Sequence, residues 1–541
     1  MLNFNYNIRR FDIAATLGWT GRYENMNNMR VSTNGGLVTE NWFDLNASRY
    51  TASSTLQRME LLKTGYMGTL SLGWDNYLFL ELTGRQERSS TLKDQSFFYP
   101  SANLSFLFSN AFRMPAWWNH GKLRLSYGVV GNAPETYAAN IIYEQGSDNG
   151  FTWNYVPSSW GNANIRPEKK YEYEIGFESK FLNNRLGFDV SYYNNRVKDQ
   201  ILSTPQPSTS GVKYVLMNVG EVANEGWDIS VSATPVLTKN FRWDLTANYG
   251  IYRNKVVKLA DGVPYLEISN IGGGGAKIQA VEGRPMGDIY VQVPQMNENG
   301  EYLVSDKGLY MNQTELQRVG NINPDGVGGL FSSFSYKNIF LDFSIDFRIG
   351  GDVINEMYQY STASGLTPES LQFRDTEHGG LSYYYPGNNN ASGVPVQVDP
   401  SLGAGPNGET VYHDGVILPG VVASTGEKNT RIIPAGYYYN QTYNWGTQPE
   451  QLTYRHSVFD NSYVKLRELT IGYQFPEKLI SKLGMTRLSV SVFGRNLFYF
   501  YKALKNYDAE SSVGTSWASQ AVVGGSTTAT RNFGVSLRAS F

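Results

Sequence analysis

The strongest constraint in this sequence is a two-residue alternation of apolar and polar side chains, repeated in many separate segments. The segment LDFSIDFRI (341–349) places leucine, phenylalanine and isoleucine on one side and aspartate, serine and arginine on the other. The segment NFGVSLRASF (532–541) keeps the alternation up to Phe541. A period of two indicates a β-strand with one apolar and one polar face. Segments of about ten residues suit tilted strands that cross a bilayer.

These segments predict fifteen strands with two classes of connection. Tight turns at Asp75-Asn76, Asn183-Asn184 and Lys337-Asn338 join neighbouring strands. Short turns at one end and long loops at the other are typical of outer-membrane barrels. The long polar connections are predicted at 131–168, 253–328, 351–460 and 499–529. The strands are predicted at 2–9, 11–23, 61–74, 77–88, 98–108, 122–130, 171–181, 185–196, 226–237, 241–252, 330–337, 339–349, 463–475, 487–497 and 531–541.

One strand changes phase along its length. In YVKLRELTIGYQF the apolar residues Val464 and Leu466 have even numbers, whereas Leu469 and Ile471 have odd numbers. With strict alternation the two pairs would therefore point to opposite faces. A β-bulge near Arg467–Glu468 would absorb the extra residue. The stretch PEKLISKLGM (476–485) predicts a short helical turn, and no other helix is predicted.

Composition excludes several classes of function. The 46 Lys and Arg residues balance 48 Asp and Glu residues, so no basic excess argues for nucleic acid. Charged residues make up only 17% and aromatic residues 14%, which suits a surface that partly faces lipid. The 541 residues include no run of about 18 apolar ones, and the N-terminus lacks the pattern of a signal peptide.

Cofactor sites are sparse in the sequence. With no cysteine, and four histidines of which no two have metal-ligand spacing, no cofactor is expected. The acidic turns NENG (297–300) with Asp306 and NPDG (323–326) could hold calcium through oxygen ligands. Neither has the EF-hand pattern, so ordinary turn chemistry is the alternative. No Ser/His/Asp-like set stands out, and we do not expect an enzyme.

Eight blocks follow one another along the chain: FYPSANLSFLFSNAF (98–112), LRLSYGVVGN (123–132), NANIRPEKKYEYEIGFE (162–178), NVGEVANEGWDISV (218–231), VEGRPMGDIYV (281–291), NINPDGVGGLFSSFSYKNIFLDFSIDFRIGGDVIN (321–355), SYVKLRELTIGYQFP (462–476) and FGRNLFYF (493–500). In this order they resemble the barrel of TonB-dependent outer-membrane transporters of the SusC/RagA type. The sequence departs from the family at Asp228, where the family usually has glutamate.

The resemblance implies an all-β fold, a transmembrane antiparallel β-barrel with short periplasmic turns and long extracellular loops. The family implies 22 strands and a plug, so we expect residues 1–541 to be the C-terminal part of such a barrel. The plug domain, the TonB box and the N-terminal strands are then absent.

The implied function is TonB-dependent import of a large nutrient, a glycan or a peptide, across the outer membrane. The implied partners are a SusD-like surface lipoprotein over the loops, TonB through the missing N-terminal part, and outer-membrane lipid. The alternatives are a siderophore or other receptor without a lipoprotein lid, a soluble surface-binding β-protein, and a non-functional truncated remnant.

Three groups of residues are candidates for these roles. Loop aromatics could bind an imported oligomer, or could instead pack the loops or dock a partner. Ionisable residues on the polar face could line the lumen, or could simply form cross-strand pairs in a hydrated wall. Phe541 resembles the terminal aromatic signal for barrel assembly. The candidate substrate-binding residues are Trp153, Tyr155, Trp160, Tyr358, Tyr360, Tyr439, Tyr443 and Trp445. The candidate lumen-lining residues are Glu172, Glu174, Asp342, Asp346, Arg348, Arg467, Arg495 and Arg538.

Overall fold

A computed structural model describes residues 1–93, 95–148, 151–207, 209, 211–443, 454–525 and 529–541. The chain divides into two compact units. The first contains Met1–Ile229 and Asn254–Pro264, and the second contains Ser230–Arg253 and Tyr265–Phe541. Long strands that form a sheet wall dominate both units.

All fifteen predicted strands are present in the wall, with longer bounds in several cases. The wall strands are β1 (Leu2–Ile8), β2 (Phe11–Leu37), β3 (Ser48–Trp74), β4 (Leu78–Ser89), β5 (Ser96–Phe106), β6 (Trp118–Asn132), β10 (Glu168–Phe181), β11 (Leu186–Pro205), β12 (Tyr214–Leu237), β13 (Phe241–Lys258), β19 (Gly326–Tyr336), β20 (Ile339–Ile349), β28 (Tyr463–Gln474), β29 (Arg487–Lys502) and β31 (Asn532–Ser540).

The remaining strands lie in the long connections. They are β7 (Glu144–Asp148), β8 (Phe151–Tyr155), β9 (Ser159–Trp160), β14 (Tyr265–Ile271), β15 (Ala276–Val281), β16 (Asp288–Val291), β17 (Leu303–Val304), β18 (Gln317–Asn321), β21 (Asp352–Asn355), β22 (Leu381–Tyr384), β23 (Val396–Gln397), β24 (Val411–Val416), β25 (Val421–Val422), β26 (Ile433–Pro434), β27 (Val458–Asp460) and β30 (Val522–Val523). The α-helices of the described chain are α1 (Phe108–Ala111), α2 (Glu356–Ala363), α3 (Ala435–Tyr443) and α4 (Glu477–Ile480).

Neighbouring wall strands follow the chain order within each unit. In the first unit the order is β1-β2-β3-β4-β5-β6-β10-β11-β12, and in the second it is β13-β19-β20-β28-β29-β31. The pairs from β1 to β6 and from β19 to β31 are antiparallel. Antiparallel pairing of consecutive strands puts alternate connections at opposite ends of the strands. The short turns therefore share one end, and the long connections share the other.

The tight turns and the bulge occur where the sequence predicts them. Asp75 and Asn76 have φ of 55° and 59°, the left-handed backbone that two-residue hairpin turns require. In β20, Ser344 pairs with Glu468 and Ile345 pairs with Leu466, so Arg467 is the extra residue of β28. Both predictions are confirmed. The predicted helical turn after this strand is α4.

Several strands extend far beyond their predicted bounds, and β2 and β3 do so by the most residues. β2 and β3 are each 27 residues long, whereas the alternation predicts only 11–23 and 61–74. Their outer halves pair with each other through residues such as Met26 and Met59. Most side chains of this part are exposed on both faces, so the sequence carries no apolar alternation there.

The long connections fold into small structures of their own. In the second unit they contain the sheets β14-β15-β16-β18 and β23-β22-β24-β26 and a core that includes Ile278, Ile289 and Ile354. The prediction of no other helix is wrong, because α1, α2 and α3 are present as well. α2 is short and begins directly after Asn355, whose side chain accepts the Tyr358 N–H and thereby caps the helix. Among the described residues, no helix is both long and apolar enough to cross a membrane.

Candidate functional site

One face of the wall in the first unit is a band of exposed apolar side chains. Leu125 and Tyr127 on β6 lie opposite Ile175 and Tyr173 on β10. All four are between 39% and 48% exposed. Outward-facing aliphatic and tyrosine side chains in register form the surface that a strand presents to lipid.

The same kind of band crosses the second unit. Ile471 on β28 lies opposite Leu341 on β20 and Val492 on β29, and Val492 lies opposite Val535 on β31. Phe541 follows the last residue of β31 and is exposed. This position suits a strand-end signal, and its role in assembly stays a prediction.

On the opposite face of the first unit, the predicted lumen-lining glutamates lie among polar neighbours. The Glu172 carboxylate accepts the Asn195 side-chain amide at 3.0 Å and lies 2.6 Å from Lys170 Nζ. Glu174 is half-buried two residues further along the same face. For Glu172 these contacts favour a wall with cross-strand pairs.

In the second unit, four candidates occupy the face that holds Asp346. Asp342 accepts the Ser333 hydroxyl at 2.6 Å, and Arg495 Nε lies 2.8 Å from Glu468. Arg538 is exposed near the end of β31. Arg348 instead donates to the carbonyl oxygens of Ile322 and Gly350, so it ties the end of β20 to the connection before β19.

The bulged residue Arg467 is the centre of a charged group that we call the Glu510 cluster: Asp346, Lys465, Arg467 and Glu510. Arg467 donates two hydrogen bonds to the Glu510 carboxylate, at 2.6 and 2.9 Å, and one to Asp346 at 2.5 Å. Lys465 Nζ lies 2.5 Å from Glu510, and the Lys465 side chain is only 2% exposed. The cluster attaches the connection after β29 to the wall.

Neighbouring groups extend this attachment. The Tyr499 hydroxyl donates to Asp508 at 2.5 Å, and Lys465 Nζ lies 4.7 Å from the centre of the Tyr499 ring. Asp508 also accepts the Ala529 backbone N–H. Burial acts to raise the pKa of the Glu510 carboxyl, but hydrogen bonds from Arg467 and Lys465 outweigh it and lower that pKa.

The tyrosines of α2 and α3 are largely packed together. Tyr439 is 5% exposed and donates its hydroxyl to the Glu369 carbonyl oxygen, while Tyr443 is 7% exposed. The Tyr358 ring packs edge-on against Phe459 at 5.0 Å. For Tyr439 and Tyr443 this burial favours the packing alternative over direct contact with an imported molecule.

The other loop aromatics differ in exposure. Burial, with the nearby Glu356, raises the pKa of the half-buried Tyr360 to about 12. Trp153 and Tyr155 lie exposed on β8, and Trp160 is half-buried on β9. Substrate contact by these residues stays a prediction. Trp445 lies outside the described residues.

The acidic turns show ordinary turn hydrogen bonds. The Asn297 side-chain oxygen accepts the N–H groups of Asn299 and Glu301, and Asp306 accepts the Ser424 hydroxyl. No group of three or more histidine, aspartate or glutamate side chains in the described part of the chain could hold a metal ion. Calcium binding stays a prediction.

Sequence reasoning missed Lys465 and Glu510. They are 45 residues apart in the chain, and Glu510 lies in a connection without periodicity. One signal was present: a lysine on the strand that also carries the phase slip.

Comparison with known proteins places these features in a family. The family model described as "TonB dependent receptor-like, beta-barrel" matches residues 2–289. TonB-dependent receptor P3 of Formosa agariphila is 22% identical over 494 residues, covering 83% of this chain and 42% of that protein. TonB-dependent receptor SusC of Bacteroides thetaiotaomicron is 27% identical over 256 residues, covering 41% of this chain and 24% of SusC.

A solved structure shows the same fold. A chain of the structure titled "Structure of the RagAB peptide transporter" superposes with a TM-score of 0.72 at 18% identity, covering all of this chain and 54% of that one. This chain therefore spans about half the length of that protein and less than half of the curated relatives named above. The family model covers more than half of the chain, and the apolar band, strand order and long loops agree with it. The chain belongs to the TonB-dependent receptor-like β-barrel family of the outer membrane.

Proposed function

We propose that this chain forms the wall and the ligand-facing loops of a transporter that imports a large nutrient, a glycan or a peptide. Transport is energised through TonB, and a SusD-like surface lipoprotein covers the loops. The chain itself has no catalytic role in this proposal. The observation that carries it is the folding of the long connections into small sheets and helices, together with the Glu510 cluster, which attaches the connection after β29 to the wall.

The relatives support this proposal. SusC is one of the similar proteins, and the protein with the same fold is described as a peptide transporter. Each of these proteins is about twice as long as the matched region or longer, so we assign the contact with TonB to a part that this chain does not span. Exposed loop aromatics such as Trp153 and Tyr155 supply surfaces on which sugar rings or peptide side chains can pack.

The test is uptake by the native bacterium. A strain with an in-frame deletion of the gene, a strain lacking the gene of the proposed SusD-like lipoprotein, and a strain lacking TonB are grown on neutral polysaccharides or on peptide digests as sole carbon source. We expect all three strains to lose growth on the same nutrient. Growth equal to that of the parent strain on every nutrient would contradict the import function.

Two outcomes separate the alternatives. Growth loss only under iron limitation, restored by added iron, would indicate a siderophore receptor. Growth loss in the receptor and TonB strains without loss in the lipoprotein strain would contradict the proposed partner and leave TonB-dependent import standing.

A further inference from the structure

Two adjoining cavities lie in the first unit, where the connection between β6 and β10 covers the outer part of β3. The larger has a volume of about 670 Å³ and the smaller about 260 Å³. Thr136, Tyr137 and Asn140 line both cavities. Volumes of this size are within or just below the range of small-molecule sites.

Tyr137 stands between the cavities in an unusual conformation. Its φ is 68°, in the left-handed region that a bulky side chain rarely adopts. The residue is 50% exposed. Its hydroxyl oxygen accepts the backbone N–H of Glu60 on β3 at 3.3 Å, which fixes the ring between the two cavities. Strained residues of this kind concentrate at ligand-binding sites.

Trp160 adds a second unusual feature to the smaller cavity. Its backbone is held by the pairing of β9 with β12, where Trp160 lies opposite Val215. Its indole N–H is buried and has no acceptor among the described residues. An unsatisfied buried donor in a native structure calls for an explanation, and a loop that rearranges around a ligand provides one.

The charge of the lining restricts the ligand. Glu60 and Lys93 line the larger cavity, and Glu135 and Glu144 line the smaller one. Three carboxylates against one ammonium group disfavour an anionic ligand. Glu144 lies opposite Tyr155 in the β7–β8 pair, at the edge of the smaller cavity.

Hydroxyl and amide groups make up much of the remaining polar lining. Ser90, Thr91, Thr136, Ser159 and Asn140 can each donate and accept hydrogen bonds. Sugar hydroxyls also do both, and the apolar face of a sugar ring can stack on an exposed aromatic ring. The glutamates would instead repel the C-terminal carboxylate or the acidic side chains of a peptide.

We propose that the two cavities are a binding subsite for a neutral oligosaccharide. One sugar ring stacks on Tyr137, and the adjacent sugar rings of the oligosaccharide occupy the two cavities. This inference rests on the proposed import function, because it names the substrate class and the place where the loops hold it. The negative charge of the three glutamates excludes uronic acid and sulfated sugars.

Binding is tested on the full-length protein purified in detergent, by thermophoresis. The neutral probes are maltohexaose, cellohexaose, xylohexaose, mannohexaose and laminarihexaose. A galacturonic acid hexamer is the anionic probe, and the hexapeptides (Lys-Ala)₃ and (Glu-Ala)₃ are the peptide probes. We expect at least one neutral probe to bind and the galacturonic acid hexamer and both peptides not to bind.

The decisive variant is Tyr137→Asn. Asparagine tolerates the left-handed backbone, so the loop keeps its fold while the ring is lost. We expect neutral-sugar binding to weaken about tenfold or more. The matched control is Tyr50→Asn, which removes an exposed tyrosine of β3 outside both cavities and should leave binding unchanged.

A charge variant separates sugar from cationic ligands. Glu135→Gln should change neutral-sugar binding by less than about threefold, and added salt should have little effect on it. Strongly salt-dependent binding of (Lys-Ala)₃ that is lost in Glu135→Gln would overturn the proposal in favour of a cationic peptide.

Three further outcomes would overturn the proposal: no neutral probe binds, a neutral probe binds equally well to Tyr137→Asn, or the galacturonic acid hexamer binds as tightly as the neutral probes. The import function is measured separately, by growth of the deletion strain. Sugar binding through Tyr137 together with unimpaired growth of that strain would refute import and leave the subsite standing.

Discussion

Replacement of Glu510 by glutamine should release the connection after β29 from the wall. Glutamine keeps the shape of the side chain but removes the charge that faces Lys465 and Arg467. Breaking a fully buried ion pair by removing one partner costs roughly 3–5 kcal/mol. The Lys465 side chain is 2% exposed but that of Glu510 is 29% exposed, so water screens part of the pair. We therefore expect the free energy of local opening of this connection to fall by about 2–3 kcal/mol.

Hydrogen exchange measured by mass spectrometry on the full-length protein reports this loss directly. At about 1.4 kcal/mol per factor of ten, exchange in peptides covering 503–525 should rise about 30- to 150-fold. Peptides from the middle of β20 provide the internal reference. The matched control is Glu468→Gln, which breaks the more exposed pair with Arg495 and should have an effect below about 1 kcal/mol.

A double variant tests the cause. Lys465→Met removes the buried ammonium group, so Glu510→Gln should cost clearly less in that background than alone. The reasoning is refuted if Glu510→Gln and Glu468→Gln raise exchange equally. It is also refuted if the free-energy change of the double variant equals the sum of the two single changes to within about 0.5 kcal/mol, because independent sites behave in that way.

The pH dependence has a definite sign. The pKa of Glu510 is lowered in the folded state, so its contribution to stability is complete above the ordinary value of 4.5. The contribution is lost as the pH falls through the lower folded-state pKa. Protection of residues 503–525, corrected for intrinsic exchange, should therefore fall in acid for the parent protein and change less for Glu510→Gln.

Three further predictions concern the loops and the wall. Burial and the neighbouring Arg455 lower the pKa of His456, so its contribution to stability is complete above the ordinary value of 6.5 and is lost as the pH falls below it. Exchange in residues 454–462, corrected for intrinsic exchange, should therefore rise between pH 7 and 5. An equal rise in His456→Gln would exclude this cause. The Glu409 carboxylate accepts the backbone N–H groups of Asn407 and Gly387, which lower its pKa to about 2. Glu409→Ala removes these hydrogen bonds and should therefore speed proteolysis within 386–409. Unchanged cleavage would contradict the role of Glu409 in holding this loop. A Cβ at Gly472 would lie 2.1 Å from the Phe340 ring, so Gly472→Val should lower the temperature at which the folded band disappears in gel electrophoresis. Gly403 has open space around it, so Gly403→Ala should leave that temperature unchanged. Equal temperatures for the two variants would refute the steric argument.

The wall could be predicted from the sequence because its signal is local. Alternation gives each strand an apolar and a polar face wherever one face meets lipid, and all fifteen wall strands follow from it. The turn at Asp75-Asn76 follows from residues that tolerate left-handed backbone. The bulge at Arg467 follows from a single phase slip in the pattern.

The outer halves of β2 and β3 could not be predicted in the same way. Their side chains are exposed on both faces, so nothing selects an apolar residue at every second position. The strands exist there because each supplies the backbone hydrogen-bond partners of the other, from Met26 opposite Met59 outwards. Backbone pairing leaves little trace in the choice of side chains.

The sequence by itself determined the strand wall, its turns and the face that meets lipid, because these depend on residues two to ten positions apart. Only the tertiary structure decided what the loops do with their aromatic and charged residues. It buried Tyr439 and Tyr443, left Tyr137 exposed between two cavities, and brought Glu510 to Lys465. Such contacts join residues tens of positions apart and carry no period, so they become visible only when the chain is folded.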